Sequence, residues 1–166
     1  MRKKTLAIMA AALFIIGLAG CQQRKEPAPE PDEAELFREG LTAQDTVQML
    51  DVCNRCMEML KQGQTEEALK ELYVVDEDGG VSPLPEDKLQ ELRKKFQFFP
   101  VVDYKLRSFA FNDSGLNDVK YEVQFFAKEE GDPTPNTIAF MFNPVKSGGQ
   151  WYATVKRADQ KVVGSN

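Results

Sequence analysis

An α+β fold, with N-terminal helices packed on one face of a curved four-stranded antiparallel meander, is predicted by three features of the sequence. Apolar residues recur at three- and four-residue steps between Asp45 and Phe99, and at two-residue steps from Val101 to Lys156. Short connections rich in Gly, Pro, Asn and Asp separate the later segments. Consecutive strands joined that tightly run antiparallel, and the helical half is then free to cover one face of the sheet.

The N-terminus precedes that fold. Arg2, Lys3 and Lys4 lead into an apolar run from Leu6 to Leu18, and small residues follow as far as Cys21. This is the layout of a secretion signal; a spanning helix needs about 20 apolar residues, more than the run supplies. The residues Leu18, Ala19, Gly20 and Cys21 resemble the lipobox of bacterial lipoproteins. The resemblance implies that the chain is cut before Cys21, that the Cys21 thiol is lipidated, for instance by palmitate, and that the protein is held in the cell envelope, on the periplasmic face or the cell surface. The signal peptide is thus 1–20.

Cleavage there leaves 146 residues, enough for one domain with a substantial core. It removes three of the 21 basic residues and none of the 26 acidic ones, so the mature charge is −8. Nucleic acid is excluded as a partner on that balance, because binding phosphates takes clustered Lys and Arg. Anionic lipid is disfavoured for the same reason, which leaves the lipid on Cys21 as the route to a membrane.

Gln22 to Glu35 is dense in Pro and Glu and nearly free of large apolar groups, so it reads as a disordered tether spanning 21–43. The domain follows over 44–158, with a C-terminal tail over 159–166. From Asp45, the residues Thr46, Met49, Cys53, Cys56 and Leu60 mark a helix that Gly63 ends. Thr65 to Leu72 forms a second, with Thr65 as its cap. Val74 to Pro85 reads as a loop by its Gly and Pro content. Glu86 to Phe99 places Leu89, Leu92, Phe96 and Phe99 on one face of a third helix, which Pro100 stops. Val101–Phe111, Val119–Lys128, Thr137–Phe142 and Trp151–Lys156 are the four strands.

Two helices joined by the Gly-containing turn of "LKQGQTEEAL", then a third helix and an antiparallel meander, resemble the nuclear transport factor two-like (cystatin-like) superfamily. In particular the chain is similar to small bacterial lipoproteins that carry such a module behind a tether. The resemblance implies a cone between sheet and helices, with Tyr104, Tyr121 and Trp151 as the candidate lining of a ligand pocket. Some enzymes of the superfamily use an Asp base there with a Tyr donor at an oxyanion.

Catalysis finds few groups to work with. The chain has no histidine, which removes Ser-His-Asp and Cys-His arrangements. No carboxylate falls on an inward strand position, so a tyrosine donor lacks its base. Cys53 and Cys56 have the C-x-x-C spacing, but two helical turns precede Cys53, whereas redox dithiols sit at a helix N-terminus. Zinc fails on the number of ligands. Buried reduced thiols and a strained disulfide stay open as alternatives. The acidic loop at Asp76 is not an EF-hand, since its sixth position is Val81 where Gly is needed. No metal and no cofactor are expected.

Strict alternation puts Phe109, Phe111, Phe126, Met141 and Tyr152 on the sheet face away from the helices. An antiparallel sheet leaves that face polar, so these five are the candidate interface, for a homodimer or an envelope protein. A bulge near Ser108 would turn Phe109 and Phe111 inward. The expected function is a lipid-anchored, non-catalytic binding module; the alternative is a small isomerase or dehydratase using a pocket tyrosine.

Overall fold

In a computed structural model the described residues are 32–112 and 117–155, all within the unit Pro31–Asn166. The signal peptide, Cys21, the first part of the tether and the tail over 159–166 lie outside them.

The first helix, α1 (Glu33–Glu39), falls in the stretch read as tether. Asp32 caps it by accepting from the Glu35 backbone N–H at 2.7 Å, and Glu33 and Glu35 occupy the first turn, where the helix dipole favours acids. One aromatic decides its fate: Phe37 packs on the core, edge-on to Trp151 at 6.5 Å. Arg38 Nη1 also donates to the Asn112 carbonyl at 2.9 Å. Residues 33–39 are therefore helix and not spacer.

The long helix α2 (Ala43–Lys61) begins in a reciprocal capping box between Thr42 and Asp45. It ends where Gly63 adopts φ 75°, with Gly63 N–H bonded to the Leu60 carbonyl and Gln64 N–H to the Met59 carbonyl. Only glycine takes that conformation at little cost. Helix α3 (Thr65–Lys70) follows; its cap position is Gln64, without a side-chain bond, so Thr65 is its first residue rather than its cap.

Val74–Pro85 is not a loop. Its ends are the antiparallel pair β1 (Leu72–Val75) and β2 (Val81–Pro83), closed by Asp76 N–H to the Gly80 carbonyl at 2.8 Å. Ser82 Oγ donates to Asp76 Oδ1 at 2.9 Å, which uses the first acidic residue as a turn brace. Helix α4 (Glu86–Phe98) then buries Leu92 and Phe96.

The α+β class holds, but the strands form two sheets rather than one four-stranded meander. β3 (Asp103–Ala110), β4 (Asp118–Gln124) and β5 (Thr137–Phe142) make a three-stranded antiparallel sheet. β6 (Val145–Ser147) and β7 (Gln150–Thr154) form a hairpin that joins the first pair in the order β2-β1-β7-β6, with β1 and β7 parallel. The hairpin turn is Gly148-Gly149, both at positive φ, as the twist of a two-residue loop demands. Asn143-Pro144 interrupts what would otherwise be one long strand from β5 into β6. Asn143 Nδ2 bonds there to the Asn117 carbonyl and to Asp118 Oδ1 at 3.2 and 2.7 Å. The short strand β6 went unread because three residues are too few to show a period.

Helices and inner strand faces enclose a core of Met49, Cys53, Met57, Leu69, Val119, Tyr121, Val123, Phe140, Phe142 and Trp151, each under 5 % exposed. Phe96 stacks against Phe140 at 5.4 Å, tying α4 to β5.

Candidate functional site

The C-x-x-C pair sits in the interior of α2. Both sulfurs are fully buried and free, and Cys56 Sγ points at the Ala68 carbonyl at 3.7 Å. Burial pushes the Cys56 thiol up to about 12, with the neighbouring Glu71 charge adding to the effect. Cys53 is raised further, again chiefly by desolvation. A thiol that stays protonated and covered is neither nucleophile nor metal ligand. Among the described residues no group of three or more Cys, Asp or Glu side chains could hold a metal ion.

Tyr104 and Tyr121 do come together, their rings meeting edge-to-face at 5.7 Å. Their hydroxyls are already engaged: Tyr121 donates to Asn54 Oδ1 at 2.6 Å, and Tyr104 to Glu58 Oε2 at 3.3 Å. Both acceptors lie on α2, one turn apart. Burial raises both phenols, Tyr121 strongly, so neither ionises near neutral pH. Trp151 is elsewhere in the core, against Phe37 and Phe111. Its indole N–H is likewise spent. The three residues therefore do not converge on one pocket.

What holds Trp151 is a carboxylate that the strand pattern did not reveal. Asp45 is 4 % exposed and sits in the first turn of α2. Its Oδ1 accepts from Trp151 Nε1 at 3.0 Å and from Lys146 Nζ at 2.5 Å; its Oδ2 accepts from Thr42 N–H at 2.9 Å and Thr42 Oγ1 at 2.8 Å. The Lys146 bond, then the Thr42 backbone and Trp151 donors, hold its carboxyl well below the usual range against the opposing effect of burial. Four donors on two oxygens make a satisfied structural anion, with no lone pair aimed at a ligand. The signal for it was local: Thr42-x-x-Asp45 is a capping box, read here from the first residue of the helix pattern instead of the last residue before it.

The candidate interface disperses. A bulge at Arg107 shifts the β3–β4 register between Leu106 and Ser108, so that Phe109 lies opposite Val119. Val119 is a core residue, and Phe111 accordingly packs on Trp151 at 5.7 Å. Phe109 and Phe111 thus turn to the side of Val119, where Phe111 is half-buried and Phe109 stays 44 % exposed. Tyr152 stacks edge-on to Tyr73 at 5.1 Å on the other sheet. Met141 remains on the outer face, but its row is Ser108, Lys120 and Met141, and the next is Lys105, Glu122 and Ala139. That face is polar, as such sheets usually are.

Apolar surface gathers at one end of the domain instead. Phe98 is 77 % exposed, Phe99 38 % and Val102 42 %, where α4 hands over to β3. Phe99 meets Phe125 at 5.0 Å, and Phe125 meets Phe126 at 5.1 Å just past the end of β4. Of the five residues expected at an interface, only Phe126 is part of this cluster. The sequence did carry the signal, in the run Phe96-Gln97-Phe98-Phe99, whose four-residue length overfills a helical stripe. Comparison with protein-family models, with curated proteins and with solved structures returned no match.

Proposed function

We propose that the chain is a lipid-anchored protein of a bacterial envelope whose folded unit is a non-catalytic binding module of the nuclear transport factor two-like kind. The anchor reading rests on the lipobox-like Leu18-Ala19-Gly20-Cys21 behind a basic and apolar leader. The fold reading is supported by the order of elements, two helices around Gly63, then a hairpin, a third helix and an antiparallel sheet. The observation that carries the binding reading is the aromatic end formed by Phe98, Phe99, Val102, Phe125 and Phe126. Solvent-exposed aromatic clusters of this kind mark interaction surfaces. Against an isomerase or dehydratase stand the two tyrosine hydroxyls bonded to Asn54 and Glu58, and an interior occupied by Phe140 and Trp151.

Two substitutions test the two halves of this reading. Cys21→Ser should move the protein from the membrane to the soluble fraction; unchanged membrane association would sink the anchor. In that soluble form, self-association or capture of an envelope protein should be lost on changing both Phe98 and Val102 to Ser. These side chains are exposed, so the double variant should keep its thermal stability. A protein that is monomeric at every concentration and captures nothing before substitution contradicts the binding module.

A further inference from the structure

Helix α4 carries two charges that satisfy each other and one that is left over. Lys88, Glu91, Leu92 and Lys95 recur at three- and four-residue steps and so share one side of the helix. Lys88 Nζ bonds to Glu91 Oε2 at 2.6 Å, which spends that carboxylate. Lys95, one turn further on, is half-buried, and its ammonium lies 4.9 Å from the centre of the Phe140 ring. Among the described residues no oxygen accepts from it. A ring face attracts a cation, but it takes none of the three N–H donors. Burial accordingly holds the Lys95 pKa below its ordinary value, with Glu91 opposing the effect and Lys88 adding to it.

The same ammonium stands in a groove of about 350 Å³ between α4 and β5. The buried Leu92 and Phe140 and the half-buried Met141 supply its apolar surface. A volume of that order suits one small ligand, held by apolar contact and oriented by a few polar groups. The charged lining is Lys88, Glu91 and Lys95, so the groove is net positive in a chain whose net charge is −5. An apolar channel with one unpaired cation in its wall is complementary to an amphiphile with one anionic end.

We propose that this groove binds a single long-chain carboxylate, its anionic head on Lys95 Nζ and its alkyl chain over Leu92, Phe140 and Met141. The head brings the acceptor that the protein does not supply, and the chain covers the apolar surface beside it. A bilayer fits less well, because it presents many headgroups at once and the neighbouring charges, Lys88 and Glu91, already neutralise each other. The groove shares no lining residue with the aromatic end at Phe98 and Phe99, so the two binding readings stand or fall separately.

Calorimetric titration of the chain over 21–166, with Cys21→Ser so that it carries no lipid, tests this with dodecanoate below its micelle concentration. Dodecanoate should bind, and dodecanol should bind at least about tenfold more weakly for want of a charge on its head. Octanoate should also bind more weakly, since each methylene against the groove adds affinity. Lys95→Met keeps the apolar stem and removes the charge; it should weaken dodecanoate at least about tenfold and leave dodecanol unchanged. Lys94→Met, the same change at the next residue, should do neither. If the Lys95 variant failed to fold, the headgroup and chain-length comparisons on the unaltered groove would decide, together with the Met141 methyl resonance, which dodecanoate should shift. No binding of dodecanoate, equal affinity for dodecanol, or equal losses in the two methionine variants would overturn the assignment. So would binding to vesicles of an anionic phospholipid with none to the monomeric acid, which would give this face to a bilayer.

Discussion

Asp45 caps α2, neutralises Lys146 and orients Trp151 with the two oxygens of one carboxylate. Its folded carboxyl is held below the ordinary range, so as pH falls the unfolded chain takes up its proton first. The stability it contributes is therefore complete above about pH 4, the unfolded value, and is lost as pH falls further, through the folded value. Asp45→Asn should lower the unfolding free energy by about 1–3 kcal/mol at pH 7, through weaker bonds to a buried indole and ammonium. It should also flatten the dependence of stability on pH between 5 and 2, which denaturant titrations at a series of pH values would measure. The thiols give a second check at this scale. With Cys56 near 12 and Cys53 above it, both should react with a disulfide reagent at pH 8 at least about a hundredfold slower in the native protein than in denaturant. Comparable rates would mean that α2 opens readily.

The bulge at Arg107 is the element on which the β3 surface turns. Without it, period-two alternation would carry Phe109 and Phe111 to the outer face; with it, Phe111 reaches Trp151. Deleting Arg107 should make the ladder regular and still leave Phe109 opposite Val119 and Phe111 on Trp151, so the cost, read as a drop in melting temperature, should stay within about 1 kcal/mol. Arg107→Ala keeps the bulge and removes only an exposed pair with Glu122, so its cost should stay within about 1 kcal/mol. A loss of several kcal/mol on deletion, with Arg107→Ala near neutral, would show that the aromatics need the bulge itself and not only the alternation it resets. A bulge is invisible to alternation, because alternation assumes that every residue advances the strand by one step. The β1–β2 hairpin was missed for a related reason. Its Gly and Pro signals are genuine, but they describe the five-residue turn Asp76–Gly80, and the strands on either side are too short to show a pattern of their own.

At the scale of the molecule, what could be read from the sequence was whatever local periodicity controls. Helices α2 and α4 and the strands β3, β4 and β5 all declare themselves through a buried stripe or an alternating face, and the α+β class follows from their order. Helix α1 was hidden because one residue, Phe37, anchors a segment whose composition is that of a spacer. The parallel pairing of Leu72 with Ala153, which divides the strands into two sheets, depends on residues far apart in sequence and leaves no trace in either segment alone. The pocket tyrosines were placed on the correct face and beside each other. Their partners Asn54 and Glu58 lie on the exposed side of the α2 pattern, so nothing in the strands announced that the hydroxyls were already taken.

The bonds that fix Asp45 also order the domain in time. Lys146 and Trp151 lie 101 and 106 residues beyond it. The strand that lies against Leu72 comes from the same distant hairpin. Until that hairpin docks, α2 has its cap from Thr42, but its apolar stripe lacks the cover that the hairpin supplies. Closure across such separations makes this a slow-folding topology for its size.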